Sequence, residues 1–328
     1  MKKRFPSDVV AGLLTAAALI GLPVLGVMFT GQHVADYLEF PPLTQHVPHA
    51  AFSWIAFIGM AIGVLMVVLP FDLRVLISRS RFAPFKPQSL PGSARSSIAG
   101  LGASISRFPW WGWAGLFLGA GSWILAWSRF TWFAPLQHFT FSPLWFSYII
   151  VVNALTFHRT GHCMMKDRTP YFMALFAASA AFWWFFEYLN RFVQNWYYAG
   201  ILDITPGEYV LFATLPFSTV LPAVLGTYEL LNSFPSAGAG LDNFVRIDLR
   251  RTKAVAWLML LGACGGLVGI GIWPDYLFPL LWLSPLLVIT SLQAIRGEST
   301  LFAPIRLGCW RRIYLLAMAA LICGFFWE

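Results

Sequence analysis

Runs of about 20 apolar residues recur along this chain, and short polar junctions separate them. A helix crosses the hydrocarbon core of a bilayer in about 20 residues and satisfies its own backbone hydrogen bonds there. On this criterion we predict an all-α, polytopic integral membrane protein with about nine transmembrane helices, arranged as four out-and-back hairpins and a C-terminal helix. The predicted spans are residues 8–30, 50–70, 110–128, 142–158, 170–189, 206–231, 253–272, 276–294 and 311–327.

The composition supports a single transmembrane helical domain over residues 1–328. Only 11% of the residues are charged and 58% are hydrophobic, whereas a soluble domain carries about 25% charged residues. The first apolar run is longer than the roughly 7–15 apolar residues of a secretory signal. We therefore expect it to remain as the first transmembrane helix.

The distribution of basic residues predicts the orientation. With the N-terminus inside, all but two of the 22 Lys and Arg residues fall in cytoplasmic segments, and only Arg129 and Arg191 do not. This is the pattern of the positive-inside rule. It predicts a multi-pass protein of the cell (inner) membrane with a cytoplasmic N-terminus and two long cytoplasmic loops, a basic one at 71–109 and a second at 232–252.

The same distribution explains the net charge of +8. Basic loops at a membrane surface attract anionic lipid headgroups, so membrane lipids are the expected partners and nucleic acid is not. Several spans also carry pairs of glycines four residues apart, a spacing that allows helices to approach closely in lipid. The pairs are Gly59 with Gly63, Gly115 with Gly119, Gly262 with Gly266, and Gly265 with Gly269.

The most polar junction between apolar runs covers residues 182–209. Within it Glu187, Asn190, Arg191 and Gln194 have the spacing i, i+3, i+4 and i+7, which places them on one face of a helix. One interpretation is a Glu187–Arg191 pair that stabilises the helix. The other is a carboxylic acid that apolar aromatic surroundings keep protonated, so that it can donate a proton.

Glu208 extends this second interpretation. It follows Pro206 in the first turn of the next helix, where a carboxylate complements the helix dipole. A hairpin would bring it to the membrane level of Glu187, so the two are the candidate catalytic acid and base. The candidate substrate pocket is formed by Trp183, Trp184, Asn190, Arg191, Trp196 and Tyr198.

Two other features allow chemistry. Pro216 and Pro222 predict kinks in the sixth span, whose freed carbonyls must find nearby hydroxyls or water. Four histidines lie on the outer side: His33, His46, His49 and His138. His46 and His49 could share a metal with Glu39 or with His138. The spacing matches no closed zinc pattern, so we favour ordinary interfacial histidines and predict no metal site, and the sequence does not identify a cofactor.

The run from Glu187 to Phe212 resembles the membrane-embedded lycopene cyclase domain. In that family an acidic helix end leads to a Trp-x-Tyr pair, a short loop and a Pro-x-Glu-Glu entry into an aromatic helix. The matching positions here are Glu187, Trp196 with Tyr198, Pro206, Glu208 and Phe212. Tyr209 replaces the second Glu, and the match covers less than a tenth of the chain. The resemblance implies acid chemistry on an apolar substrate.

Three functions follow from these patterns. The first is an intramembrane enzyme that acts by acid/base chemistry on a lipid or isoprenoid at the non-cytoplasmic face, with Glu187 and Glu208 as acid and base. The second is a non-catalytic subunit or scaffold of a membrane complex with a membrane-protein partner, in which small-residue faces and aromatic belts serve only packing. The third is a transporter or channel that uses the outer acidic residues and the kinked sixth helix.

Overall fold

The computed structural model describes residues 5–42, 51–81, 107–198, 204–248 and 252–327. Within these ranges all regular structure is helical, and no strand occurs. The α-helices are α1 Phe5–Thr30, α2 Val34–Leu38, α3 Trp54–Arg81, α4 Trp110–Ser128, α5 Phe141–Thr160, α6 Met164–Asp167, α7 Thr169–Val193, α8 Pro206–Ser218, α9 Val220–Asn232, α10 Thr252–Ile270, α11 Pro274–Leu277, α12 Leu280–Ile295 and α13 Arg311–Trp327. Short 3-10 helices cover Thr131–Phe139, Pro235–Gly238, Leu241–Asn243 and Ala303–Leu307.

Helix lies in every range predicted as a span. Within the described residues, five helices are long and apolar enough to cross a membrane: Trp54–Arg79, Phe141–Thr160, Thr169–Val193, Pro206–Asn232 and Thr252–Ile270. Two shorter apolar helices cover Thr15–Thr30 and Leu280–Ile295. The described part of the chain is thus all-helical, with helices typical of a membrane protein.

The helices form two compact units. Unit 1 contains Met1–Ser53, Phe182–Leu211 and Ile247–Arg306, and unit 2 contains Trp54–Ala181, Phe212–Arg246 and Leu307–Glu328. In unit 1 the end of α7 packs with α1, α10 and α12 around fully buried Leu189, Leu267, Ile270 and Leu281. This apolar core holds the last turns of α7, where the candidate site lies.

Close glycine contacts bring helices together in unit 1. A Cβ on Gly26 of α1 would collide with the carbonyl oxygen of Val268 in α10, and a Cβ on Gly266 would lie 2.8 Å from the Ser284 hydroxyl of α12. Of the predicted pair Gly262 and Gly266, only Gly266 makes such a contact, since nothing described lies within 4 Å of a Cβ on Gly262. The four-residue glycine spacing therefore predicted that α10 makes a close helix contact, but of this pair only Gly266 makes it.

Unit 2 packs around buried Trp145, Ile149, Ala223 and Cys323, from α5, α9 and α13. Its α8 and α9 are separated at Thr219, between the two prolines that predicted a kink. The Ser179 hydroxyl of α7 enters this break, donating to the Phe217 carbonyl at 2.6 Å and accepting from the Leu221 N–H at 3.1 Å. A side-chain hydroxyl thus satisfies backbone groups at the kink.

The first cytoplasmic loop was predicted to begin at residue 71, but α3 continues to Arg81. Its added turns carry Arg74 and Arg79, which donate to the backbone carbonyls of Gly240 at 3.1 Å and Ser236 at 2.7 Å. Because these carbonyls bind the two guanidinium groups, the helix gains tertiary contacts beyond its apolar part. The remainder of that loop from residue 82 to 106 lies outside the described residues.

Candidate functional site

The four polar residues of the predicted stripe line one cavity in unit 1. Its volume is about 310 Å³, and its walls come from α7, from α2 with the residues that follow it, and from the chain after α7. The lining residues are Asp36, Tyr37, Glu39, Pro42, Glu187, Asn190, Arg191, Gln194, Trp196 and Tyr197. The helical spacing of the stripe therefore selected residues that share one space.

Glu187 is the most enclosed carboxylate of this cavity, with 2% of its surface exposed. Its Oε2 accepts hydrogen bonds from Trp196 Nε1 at 3.1 Å and from the Tyr198 hydroxyl at 3.0 Å. Its Oε1 accepts from the Tyr209 hydroxyl at 3.0 Å. Burying a carboxylate is costly unless donors replace water, and three aromatic side chains supply those donors here.

The turn after α7 brings Trp196 and Tyr198 back to Glu187. The helix ends at Val193, and Gln194 adopts a left-handed conformation with a φ of 49° while its N–H donates to the Asn190 carbonyl at 2.6 Å. A left-handed residue just past the last turn is a common helix stop that reverses the chain direction. Glycine is usual at this position, so Gln194 is an exception with a conformational cost.

Burial raises the pKa of the Tyr198 phenol above its ordinary value, and the neighbouring Glu187 carboxylate raises it further. An unperturbed Tyr has a pKa near 10. Tyr198 is therefore a neutral hydrogen-bond donor at physiological pH.

Arg191 does not form the predicted helix-stabilising pair with Glu187. Its Nη1 donates to the carbonyls of Glu39 at 2.7 Å and Tyr37 at 3.3 Å, and its guanidinium lies 5.7 Å from the centre of the Phe40 ring. Among the described residues no ion pair joins it to Glu187. Carbonyl acceptors at the end of α2 and directly after it compete for the guanidinium, and Arg191 holds this part of the chain beside the cavity.

Glu208 caps the start of its own helix, in agreement with its position in the first turn after Pro206. Its Oε2 accepts from the backbone N–H and the hydroxyl of Thr205, both at 2.8 Å, and the Glu208 N–H donates to the Thr205 hydroxyl at 3.3 Å. This is a capping box, typical of Thr-x-x-Glu at a helix start. The Glu208 carboxylate is exposed and bonds Thr205, whereas the next residue, Tyr209, reaches Glu187.

Trp183 and Trp184 pack against other aromatic rings of unit 1. The Trp183 ring is 6.0 Å from Trp282, and the Trp184 ring is 6.0 Å from Tyr209. Trp282 in turn stacks on Trp196 at 5.5 Å. The two predicted pocket tryptophans therefore pack near the donors of Glu187, and they are not among the cavity residues.

Tyr209 contacts Glu187 but was not among the site residues predicted from the sequence. It is 3% exposed and makes the third hydrogen bond to Glu187. The resemblance to the cyclase domain marked its position, because that family has a glutamate there. Tyrosine in place of a carboxylate at that position supplies a donor to Glu187.

Of the outer histidines, only His33 has its side chain in the described part of the chain. No group of three His, Cys, Asp or Glu side chains that could hold a metal ion occurs there. His46 and His49 lie outside the described residues, as does the His138 side chain.

Comparison with known proteins gives no relative for this chain. No model of a protein family, no curated protein and no solved structure matches it.

Proposed function

We propose that this protein is an intramembrane enzyme in which Glu187 transfers protons on a lipid or isoprenoid substrate. The observation that carries the proposal is the buried Glu187 carboxylate, held by three neutral donors at the wall of a cavity of about 310 Å³. A small-molecule site is typically a concave space of this order with a few convergent polar groups. The resemblance of this segment to the lycopene cyclase domain agrees with acid/base chemistry on an apolar substrate.

We assign Glu187 the role of the base. An ionised carboxylate can only accept hydrogen bonds, and Trp196, Tyr198 and Tyr209 each donate one to Glu187. The carboxylate would take a proton from a C–H or O–H group of the substrate and return it to another atom of the same molecule. Such a transfer changes no oxidation state, so isomerisation or cyclisation is the expected reaction.

Glu208 is not part of this proposal, although the sequence suggested it as the partner of Glu187. Its carboxylate bonds Thr205 in the capping box. We assign both the removal and the return of the proton to Glu187, with the Tyr198 and Tyr209 hydroxyls as the donors that stabilise its charge.

We further infer that the chain crosses the cell membrane about nine times, with a cytoplasmic N-terminus. The distribution of Lys and Arg supports this orientation, and helices occupy all nine predicted ranges. In this arrangement the junction between α7 and α8 faces the non-cytoplasmic side. The substrate would then enter from the outer part of the bilayer, and membrane lipids would be the protein's main partners.

The test compares two glutamate variants. Lipid extracts are analysed by mass spectrometry from cells that produce the wild type, Glu187→Gln or Glu208→Gln, with production and folding checked by size-exclusion chromatography. We expect Glu187→Gln to abolish the lipid conversion seen with the wild type. Glu208→Gln should retain it, because glutamine also closes a capping box.

Each other result has a distinct meaning. Loss of conversion in both variants would restore the two-glutamate mechanism. An unchanged lipid profile with folded Glu187→Gln would exclude the enzyme. Co-purification of that folded variant with a stoichiometric membrane-protein partner would then favour the scaffold function.

A further inference from the structure

Asn190 ties together the segment that delivers two of the three donors to Glu187. It lies one helical turn after Glu187 on α7, with 7% of its surface exposed. Its Oδ1 accepts from the backbone N–H groups of Asn195 at 2.8 Å and Trp196 at 3.3 Å. Its Nδ2 donates to the Trp196 carbonyl at 2.8 Å. One side chain thus makes three hydrogen bonds to two consecutive residues.

These bonds hold both the N–H and the carbonyl of the Trp196 backbone. The side chains of Trp196 and Tyr198 extend from this segment to the same oxygen of Glu187. The Asn190 amide sets where the segment lies relative to α7, and α7 carries Glu187. The orientation of the carboxylate therefore depends on Asn190, whose side chain bonds the Asn195 and Trp196 backbone.

The arrangement requires an amide. Asparagine supplies one acceptor and two donors, whereas aspartate supplies acceptors only. An aspartate at 190 would keep the bonds from the two N–H groups and place a carboxylate against the Trp196 carbonyl. It would also add a second buried negative charge one turn from Glu187.

We propose that Asn190 is a positioning residue of the active site, holding the Trp196–Tyr198 segment so that the Glu187 carboxylate keeps one orientation towards the cavity. This proposal rests on the proposed function of Glu187. A displaced catalytic group loses rate steeply, and a misplacement of 1 Å costs roughly 100-fold. Asn190 therefore affects the rate through the position of the Glu187 carboxylate.

The variants are Asn190→Ala, which removes all three bonds, and Asn190→Asp, which keeps the acceptor. The matched control is Asn195→Ala in the same turn, since the Asn195 side chain is exposed and its backbone N–H remains. Asn190→Asp keeps the test valid if the alanine variant fails to fold.

Two readouts separate positioning from general stability. The first is the indole ¹H–¹⁵N resonance of Trp196 in ¹⁵N-tryptophan-labelled protein in lipid nanodiscs, assigned as the signal that Trp196→Phe lacks. The second is the lipid conversion defined by comparing the wild type with Glu187→Gln. We expect Asn190→Ala to move the resonance away from its hydrogen-bonded position and to lower conversion roughly 100-fold, with a change of both in the same direction in Asn190→Asp and none in Asn195→Ala.

The failures are distinguishable. A resonance that stays in place in folded Asn190→Ala overturns the positioning role. So does a displaced resonance with full conversion, provided that Glu187→Gln is inactive, and in that case the proposed function stands. Full conversion in Glu187→Gln removes the proposed function, and the positioning proposal falls with it.

Discussion

The Tyr209 hydroxyl donates to Oε1 of Glu187 at 3.0 Å, and this bond joins the first turn of α8 to the last turns of α7. Both side chains are almost fully buried, at 3% and 2% exposed. The contact joins two helices that follow one another in the chain, and it fixes the start of α8 relative to the end of α7. The position of α8 relative to α7 therefore depends on one hydrogen bond to the buried Glu187 carboxylate.

Tyr209→Phe should destabilise the protein and weaken the proposed activity. It removes only the hydroxyl, so the ring packing remains and Oε1 loses its donor. Hydrogen bonds to a charged group contribute about 1.5–3 kcal/mol, and we expect a loss of that size in the free energy of unfolding. Denaturation of the detergent-solubilised protein measures it.

Tyr276→Phe is the control for this variant. Tyr276 lies in the same unit and is 81% exposed, so its hydroxyl should be worth less than about 0.5 kcal/mol. An equal loss in both variants would show that the Tyr209 hydroxyl has no special contact with Glu187.

The protein should lose stability in alkali through Tyr198. Burial raises the folded pKa of this phenol, and the Glu187 carboxylate adds to the rise. Above about pH 10 the unfolded chain releases the Tyr198 proton while the folded chain keeps it. The folded state then binds more protons, so its stability falls as pH rises from about 10 towards the raised folded value, and it is unaffected by this group below pH 10.

Subtracting the Tyr198→Phe variant isolates this effect from the other tyrosines. Just above pH 10 the wild type should lose up to about 1.4 kcal/mol more per pH unit than the variant, and from pH 7 to 9 the two should differ by a constant amount. Parallel curves across pH 10 would mean that the Tyr198 phenol titrates alike in both states.

The helices could be predicted because bilayer thickness and backbone hydrogen bonding leave few alternatives for long apolar runs. The polar face of α7 could be predicted as well, since Glu187 and Asn190 are related by helical periodicity alone. The end of α3 could not, because Arg74 and Arg79 bind carbonyls that lie more than 150 residues away. A local pattern carries no information about such partners.

The chemistry of the site was predictable only where it was local. The Thr205–Glu208 capping box has a sequence signature, which would have separated Glu208 from Glu187. The partner of Arg191 had no signature, because the competing acceptors are backbone carbonyls of Tyr37 and Glu39. Every residue carries a backbone carbonyl, so the residue type does not show which carbonyl a side chain will bind. The partner depends on how the chain folds.

Ser179→Ala should destabilise unit 2 at the break between α8 and α9. It removes the hydroxyl that serves the Phe217 carbonyl and the Leu221 N–H, and Ser179 is 1% exposed. A buried backbone group left unsatisfied costs about 1–3 kcal/mol. We expect a loss of this size in the free energy of unfolding.

Ser218→Ala is the matched control, because Ser218 is partly exposed and its hydroxyl donates back to the Leu215 carbonyl of its own helix at 2.7 Å. It should change the stability by less than about 0.5 kcal/mol. If Ser179→Ala is equally mild, Leu221 and Phe217 have paired directly and the helix has straightened, which the backbone amide exchange of Leu221 would reveal.

Gly240→Ala should disrupt the contact between α3 and the segment that precedes Leu241–Asn243. Gly240 has a φ of 78°, and a Cβ there would collide with the Ser78 hydroxyl of α3. The left-handed backbone alone costs a non-glycine residue about 1–2 kcal/mol, and a forced shift in a packed contact adds about 1–3 kcal/mol.

Gly297 has nearly the same φ, at 74°, with nothing described within 4 Å of a Cβ. Gly297→Ala therefore measures the backbone cost alone, and the difference in thermal stability between the two variants gives the cost of the collision. Equal losses would mean that α3 yields to the added methyl group, and that the hydrogen bond from Arg74 to the Gly240 carbonyl does not depend on the close approach.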